Sequence, residues 1–145
     1  MPMQAFNTDP RSAALRVLIV EDEALVALEI EGMLALAGHE AVAQADDLPS
    51  AVAAAEAEKP DLALVDIQLA QGTSGLEVAA ALKERGVPVL FATGNCPTER
   101  GHGLALGCLH KPISDRALAA AVEAASAVMR GEPLPEHTPS ALHFF

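Results

Sequence analysis

Five side chains able to bind a cation or take part in group transfer stand directly after short apolar runs in this 145-residue chain. Glu21 and Asp22 follow Arg16–Val20, and Asp66 ends the run that begins at Leu62. Thr93 follows residues 87–92, and Lys111, itself followed by Pro112, comes after Gly107–His110. If these runs are parallel strands, their ends share one sheet edge, and ligands of such sheets bind in the crevice outside the strand ends. Three carboxylates, a hydroxyl and an ammonium would meet there. Packed carboxylates repel unless a cation sits among them. Oxygen donors of this kind suit Mg²⁺, or the similarly hard Mn²⁺, better than a soft metal. With such an ion, Asp66 can act as a nucleophile toward phosphorus and form an aspartyl phosphate. Phosphoryl transfer asks mainly for positioning and charge neutralisation. Lys111 supplies further positive charge, and Thr93 a hydroxyl donor to a phosphoryl oxygen.

The pattern between these residues supplies the elements that would position them. Strand-like runs at 16–20, 40–44, 62–66, 87–92 and 107–110 alternate with helical periodicity at 23–37, 48–58, 75–85 and 115–129. In the first helix Val26, Ile30, Met33 and Ala37 recur at helical spacing, and Gly38 supplies a stop. Leu76, Ala79, Ala80 and Leu82 form a similar stripe in the third, and Leu118, Val122, Ala125 and Met129 in the last. Strands that are apolar on both faces and separated by helices predict a parallel sheet covered on both sides. One domain at 14–130 accounts for these elements. Residues 1–13 read as a disordered lead-in, and 131–145 as a Pro-rich tail for which disorder is the default. The terminal Phe144 and Phe145 leave open a docking role for that tail.

Composition narrows the function classes. Twenty acidic residues against nine basic ones give a net charge of −11, which repels phosphate backbones and argues against nucleic-acid binding. No apolar run is long enough to span a bilayer, and the N-terminal residues lack a signal-peptide pattern, so no membrane role and a cytoplasmic location are expected. Cys96 and Cys108 match neither a disulfide framework nor a zinc ligand set, and they read as reduced thiols.

Four segments together resemble the receiver domain of bacterial response regulators over about residues 15–130: Val17–Glu23, Leu64–Leu69, Phe91–Gly94 and His110–Pro112. Any one alone is a weak signal, and a lone Asp66 would read as a loop cap. Their order at successive strand ends makes the signal specific. The resemblance implies an α/β, flavodoxin-like (βα)5 fold, a doubly wound five-stranded parallel sheet in the order 2-1-3-4-5. It also implies that Asp66 is the phosphoacceptor, that Glu21, Asp22, Asp66 and the backbone carbonyl of Gln68 hold the metal, and that Thr93 and Lys111 are the switch hydroxyl and phosphoryl-binding lysine. The Lys111–Pro112 bond is cis in this family. The implied partners are a sensor histidine kinase or phosphotransfer protein and a downstream protein, with the chain a monomer or weak dimer.

Three departures from the family pattern stand out. The acidic pair is Glu21-Asp22 rather than Asp-Asp. The strand-five position that usually carries a switch aromatic is Cys108, so signalling is expected to use rearrangement of 94–106 instead. Thr93 and Lys111 are close in sequence, and glycines at 101 and 103 weaken helix formation by up to ~1 kcal/mol each. A short or mobile fourth helix across 97–105 is therefore expected. Phe91-Ala92-Thr93-Gly94 resembles the signature of a subgroup of stand-alone receivers, although Cys96 stands near the place of that subgroup's tyrosine.

The leading expectation is a single-domain phosphoacceptor receiver of a two-component system or phosphorelay, acting by protein binding or as a phosphate sink, and not a conventional enzyme. A phosphorylation-independent pseudo-receiver is one alternative. A haloacid-dehalogenase-like phosphatase is another, disfavoured because Glu21-Asp22-Glu23 does not supply the Asp-x-Asp that such enzymes need.

Overall fold

The computed structural model describes residues 14–70, 72–97 and 103–145. Along them run β1 (Arg16–Val20), α1 (Ala24–Leu36), β2 (Glu40–Ala45), α2 (Leu48–Glu58), β3 (Leu62–Val65), α3 (Gly75–Glu84), β4 (Val89–Thr93), β5 (Gly107–His110), α4 (Asp115–Met129) and β6 (Leu142–Phe144). They form one sheet in the order β2-β1-β3-β4-β5-β6. The first five strands pair in parallel, which is the flavodoxin-like 2-1-3-4-5 order expected from the sequence.

Alternation along each strand explains why the runs are apolar throughout. Val17 and Ile19 of β1, with Leu62 and Leu64 of β3, point to the side covered by α1 and α4. Leu18, Val20, Ala63 and Val65 point to the side covered by α2 and α3. The side chains of successive strand residues face opposite ways, so a strand covered on both sides has no place for a polar residue until it ends. The buried stripe of α1 is Ala27, Ile30 and Leu34, with Val26 and Met33 only partly covered. That differs from the expected stripe because the helix rolls its Leu34 side onto the sheet. The turns are fixed locally. Asp47 and Ser50 form a capping box at the start of α2, and the hydroxyls of Ser74 and Ser114 accept backbone N–H groups at the starts of α3 and α4.

The structure adds a sixth strand to the expected five. β6 pairs antiparallel with β5, so the end of the tail is ordered on the sheet and is not disordered chain. Leu142 is buried with the α1/α4 core. Gly107 makes the approach possible: a Cβ there would lie 2.4 Å from the His143 carbonyl oxygen. Between β4 and β5 the described residues contain no helix. The core of the expected short helix, 98–102, lies outside the described residues, as does the lead-in 1–13.

Candidate functional site

Ladder hydrogen bonds continue one residue past the strand ends and set the site's backbone. Glu21 N–H donates to Ala45 O, and Asp66 N–H to Val20 O, both at 2.9 Å. Lys111 N–H donates to Thr93 O, also at 2.9 Å. These bonds extend the β2–β1, β1–β3 and β4–β5 pairings past the strands, and with the β3–β4 pairing they align the strand ends at one edge. Among the described residues, oxygens of Glu21, Asp22 and Asp66 all lie within 4.8 Å of one another. Glu21 and Asp66 are only 4% and 6% exposed, while Asp22 is more open to solvent.

Lys111 closes the cluster. Its Nζ lies 2.6 Å from Glu21 Oε1 and 2.9 Å from Asp66 Oδ2. Burial drives the Glu21 pKa up, more than the hydrogen bonds from Lys111 and from the Glu23 N–H bring it down. For Lys111 burial works against the charged form, but the hydrogen bonds to Glu21 and Asp66 together with their negative charges outweigh it and hold its pKa above the ordinary lysine value. One ammonium thus answers two of three crowded carboxylates, and a further cation is what the remaining negative charge would attract. An all-oxygen, part-exposed donor set fits a hard divalent ion that retains water ligands.

The other sequence-nominated residues lie around this cluster. Gln68 N–H donates to Asp66 Oδ1 at 3.1 Å, which ties the Asp66 carboxylate to the following loop. Thr93 is fully buried at the end of β4, and its Oγ1 accepts the Asn95 N–H at 3.4 Å. The Lys111–Pro112 bond is cis. Cys108 is fully buried in β5, yet it is not the free thiol expected from the sequence. It is disulfide-bonded to Cys96 across a Cα–Cα distance of 5.9 Å. A sequence separation of 12 gave no hint of this pairing, because the β4–β5 hydrogen bonding that brings the two together is a tertiary fact.

Gly75 is a site residue that its place at the start of the expected third helix did not mark as one. A Cβ there would lie 2.1 Å from the Asp66 carbonyl oxygen and 2.5 Å from Ile67 Cα. Its N–H donates to Ile67 O at 2.7 Å. The start of α3 is therefore seated directly against the Asp66 backbone, which only glycine allows.

A fold of this order with this acidic edge is that of a response regulator receiver domain, and the model of that family matches residues 17–123. The chain belongs to the response regulator receiver domain family. It is 44% identical over 82 residues to the phyllosphere-induced regulator PhyR of Methylorubrum extorquens, covering 55% of this chain and 31% of that protein. A solved receiver domain of a modulated diguanylate cyclase from Desulfovibrio desulfuricans G20 superposes with a TM-score of 0.74 at 32% identity, over 83% of this chain and 100% of that one. A solved mutant PhyR from Bartonella quintana, described as an anti-anti-sigma factor, has a TM-score of 0.73 at 31% identity and covers 88% of this chain and 55% of that one. The chain spans between 31% and 56% of the length of the first curated relatives it matches. The finer Phe-Ala-Thr-Gly subgroup rests on residues 91–94 alone. Receiver domains are in general not conventional enzymes, and no helix among the described residues is long and apolar enough to cross a membrane.

Proposed function

We propose that this chain is a phosphoacceptor receiver in which Asp66 takes a phosphoryl group from a phosphohistidine on a sensor histidine kinase or phosphotransfer protein. The observation that carries this reading is the Lys111 ammonium in contact with both Glu21 and Asp66 inside a three-carboxylate cluster. An Asp66 Oδ attacks phosphorus in line, the bond to the donor nitrogen breaks, and its electron pair returns to the imidazole. Lys111 would contact the phosphoryl oxygens, and the Thr93 hydroxyl would donate to one of them. Glu21, Asp22 and Asp66, with the Gln68 carbonyl, would hold Mg²⁺ or Mn²⁺, which when bound neutralises charge on the phosphoryl group. Water attack at phosphorus later returns phosphate and the free carboxylate.

Asp66→Asn should abolish labelling by acetyl phosphate, or by a cognate kinase, in the presence of Mg²⁺. Persistent labelling of that variant would overturn the acceptor assignment.

Apolar contact for a protein donor is available beside the site. Leu25 and Leu28 on α1 are 74% and 60% exposed, and a groove of about 360 Å³ between Met33 of α1 and Pro112 adjoins Lys111. Output by binding a downstream protein is supported by the likeness to a PhyR described as an anti-anti-sigma factor. That likeness also favours a second reading, protein recognition without phosphorylation. Absence of any label on the unaltered chain, with binding of a protein partner retained, would select it. The cover that β6 places on the edge of β5 supports a monomer or weak dimer. The boundaries 14–130, a cytoplasmic location and the Phe-Ala-Thr-Gly subgroup belong to the same proposal.

A further inference from the structure

The geometry points to a second input on this domain: the Cys96–Cys108 disulfide is a thiol–disulfide exchange site whose redox state sets the freedom of the chain leaving β4. Cys96 is the third residue after Thr93, and Cys108 lies in β5 opposite Phe91 of β4. The 5.9 Å between their Cα atoms is an ordinary spacing for a bridge. Among the described residues, hydrogen bonding of the 94–97 stretch consists of the Asn95 N–H on Thr93 Oγ1, at 3.4 Å. Among the described residues the bridge is therefore the principal tie between this stretch and the sheet. It closes on the residues that follow the Thr93 hydroxyl, so it goes beyond the phosphoacceptor reading while meeting it at one strand end.

Access decides the chemistry. Cys96 is partly exposed and Cys108 is wholly buried, so an incoming thiolate reaches the Cys96 sulfur. Its attack breaks the S–S bond, forms a mixed disulfide on Cys96, and leaves the electron pair on the Cys108 sulfur, which takes a proton. The buried Cys108 thiol lies beside that mixed disulfide and can close the bridge again. A dithiol escapes this reversal, because its second sulfur attacks its own mixed-disulfide sulfur and releases Cys96, which takes the second proton. The balance is one protein disulfide and one dithiol giving two protein thiols and one oxidised dithiol. A disulfide oxidant such as glutathione disulfide drives the reverse. The class of partner is thus a dithiol reductant, with a disulfide as the opposing oxidant.

Hydrogen exchange on the full chain, after equilibration with glutathione disulfide or with dithiothreitol, tests this. Non-reducing peptide maps should contain a Cys96–Cys108 linked pair only in the first case. Amides of residues 93–96 should exchange roughly tenfold faster or more once the bridge is reduced, and equally fast in Cys96→Ser under both conditions. Amides of β1 and β3 should not change, which separates release of the tie from general unfolding. Absence of the linked pair, or equal exchange at 93–96 in both states, overturns the inference. Beryllofluoride with Mg²⁺ then distinguishes the two readings. If it alters no amide in either state, the phosphoacceptor assignment falls, while the exchange difference at 93–96 still decides the redox tie.

Discussion

On one side of β3 the parallel neighbours β2 and β1 are tied to the sheet by α1 and α2, helices with buried stripes. On the other side, β4 and β5 are also parallel, but the described part of their connection has no helix. Cys96, Leu104 and Ala105 pack there against the α2/α3 face instead. A disulfide joins that connection to β5, the Lys83 ammonium holds the Gly103 carbonyl, and β6 closes the outer edge. A parallel sheet needs both faces covered and its edges protected. One half meets that need with a helix in each connection; the other, also covered by α3 and α4, adds a covalent tie and a borrowed strand. The acidic site lies where the halves meet, with Glu21 and Asp66 from the first and Thr93 and Lys111 from the second.

Substitutions can be ranked by which half they strike. Gly75→Ala should have the largest effect, since its Cβ meets backbone at Asp66 and Ile67. A loss of about 3 kcal/mol in urea unfolding is expected, together with loss of acetyl phosphate labelling. Wild-type stability with full labelling would show that α3 does not seat Asp66. Lys111→Ala comes next. It leaves Glu21 and Asp66 buried without their cation, for a loss of about 2 kcal/mol without divalent ions. Mg²⁺ should then raise the melting temperature more in the variant than in the unaltered chain, and an equal rise would count against a shared site.

Gly107→Ala strikes the other half. Its Cβ would meet the His143 carbonyl, so β6 should be displaced at about 1–2 kcal/mol, with faster exchange at 142–145 and unchanged Asp66 labelling. Loss of labelling would mean that the two halves are more tightly coupled than their separate supports imply.

The smallest effect is a pH slope at the start of β1. Leu15 N–H donates to His39 Nδ1 at 3.0 Å, and burial lowers the His39 pKa, partly offset by the charge of Glu123. The unfolded chain therefore takes up the proton first as pH falls. Stability is intact above the ordinary histidine value of 6.5 and is lost as pH drops from there through the lower folded value. The contribution should stay below about 1 kcal/mol. Urea midpoints across this range should flatten in His39→Asn, which can accept the same N–H without titrating. An unchanged slope would remove His39 from the account.

What the sequence determined by itself was the alternation of strands and helices and the residues standing at the strand ends. Apolar periodicity is local, and a strand covered on both faces stays apolar until it leaves the core, so Glu21, Asp66, Thr93 and Lys111 mark their own exits. Only the tertiary structure decided which distant atoms touch. The reach of Lys111 to two carboxylates, the seat of Gly75 under Asp66, the pairing of Cys96 with Cys108 and the tail strand opposite Gly107 all depend on register between chains of residues far apart. Nothing in local spacing encodes that register. It is fixed when the two faces of the sheet pack.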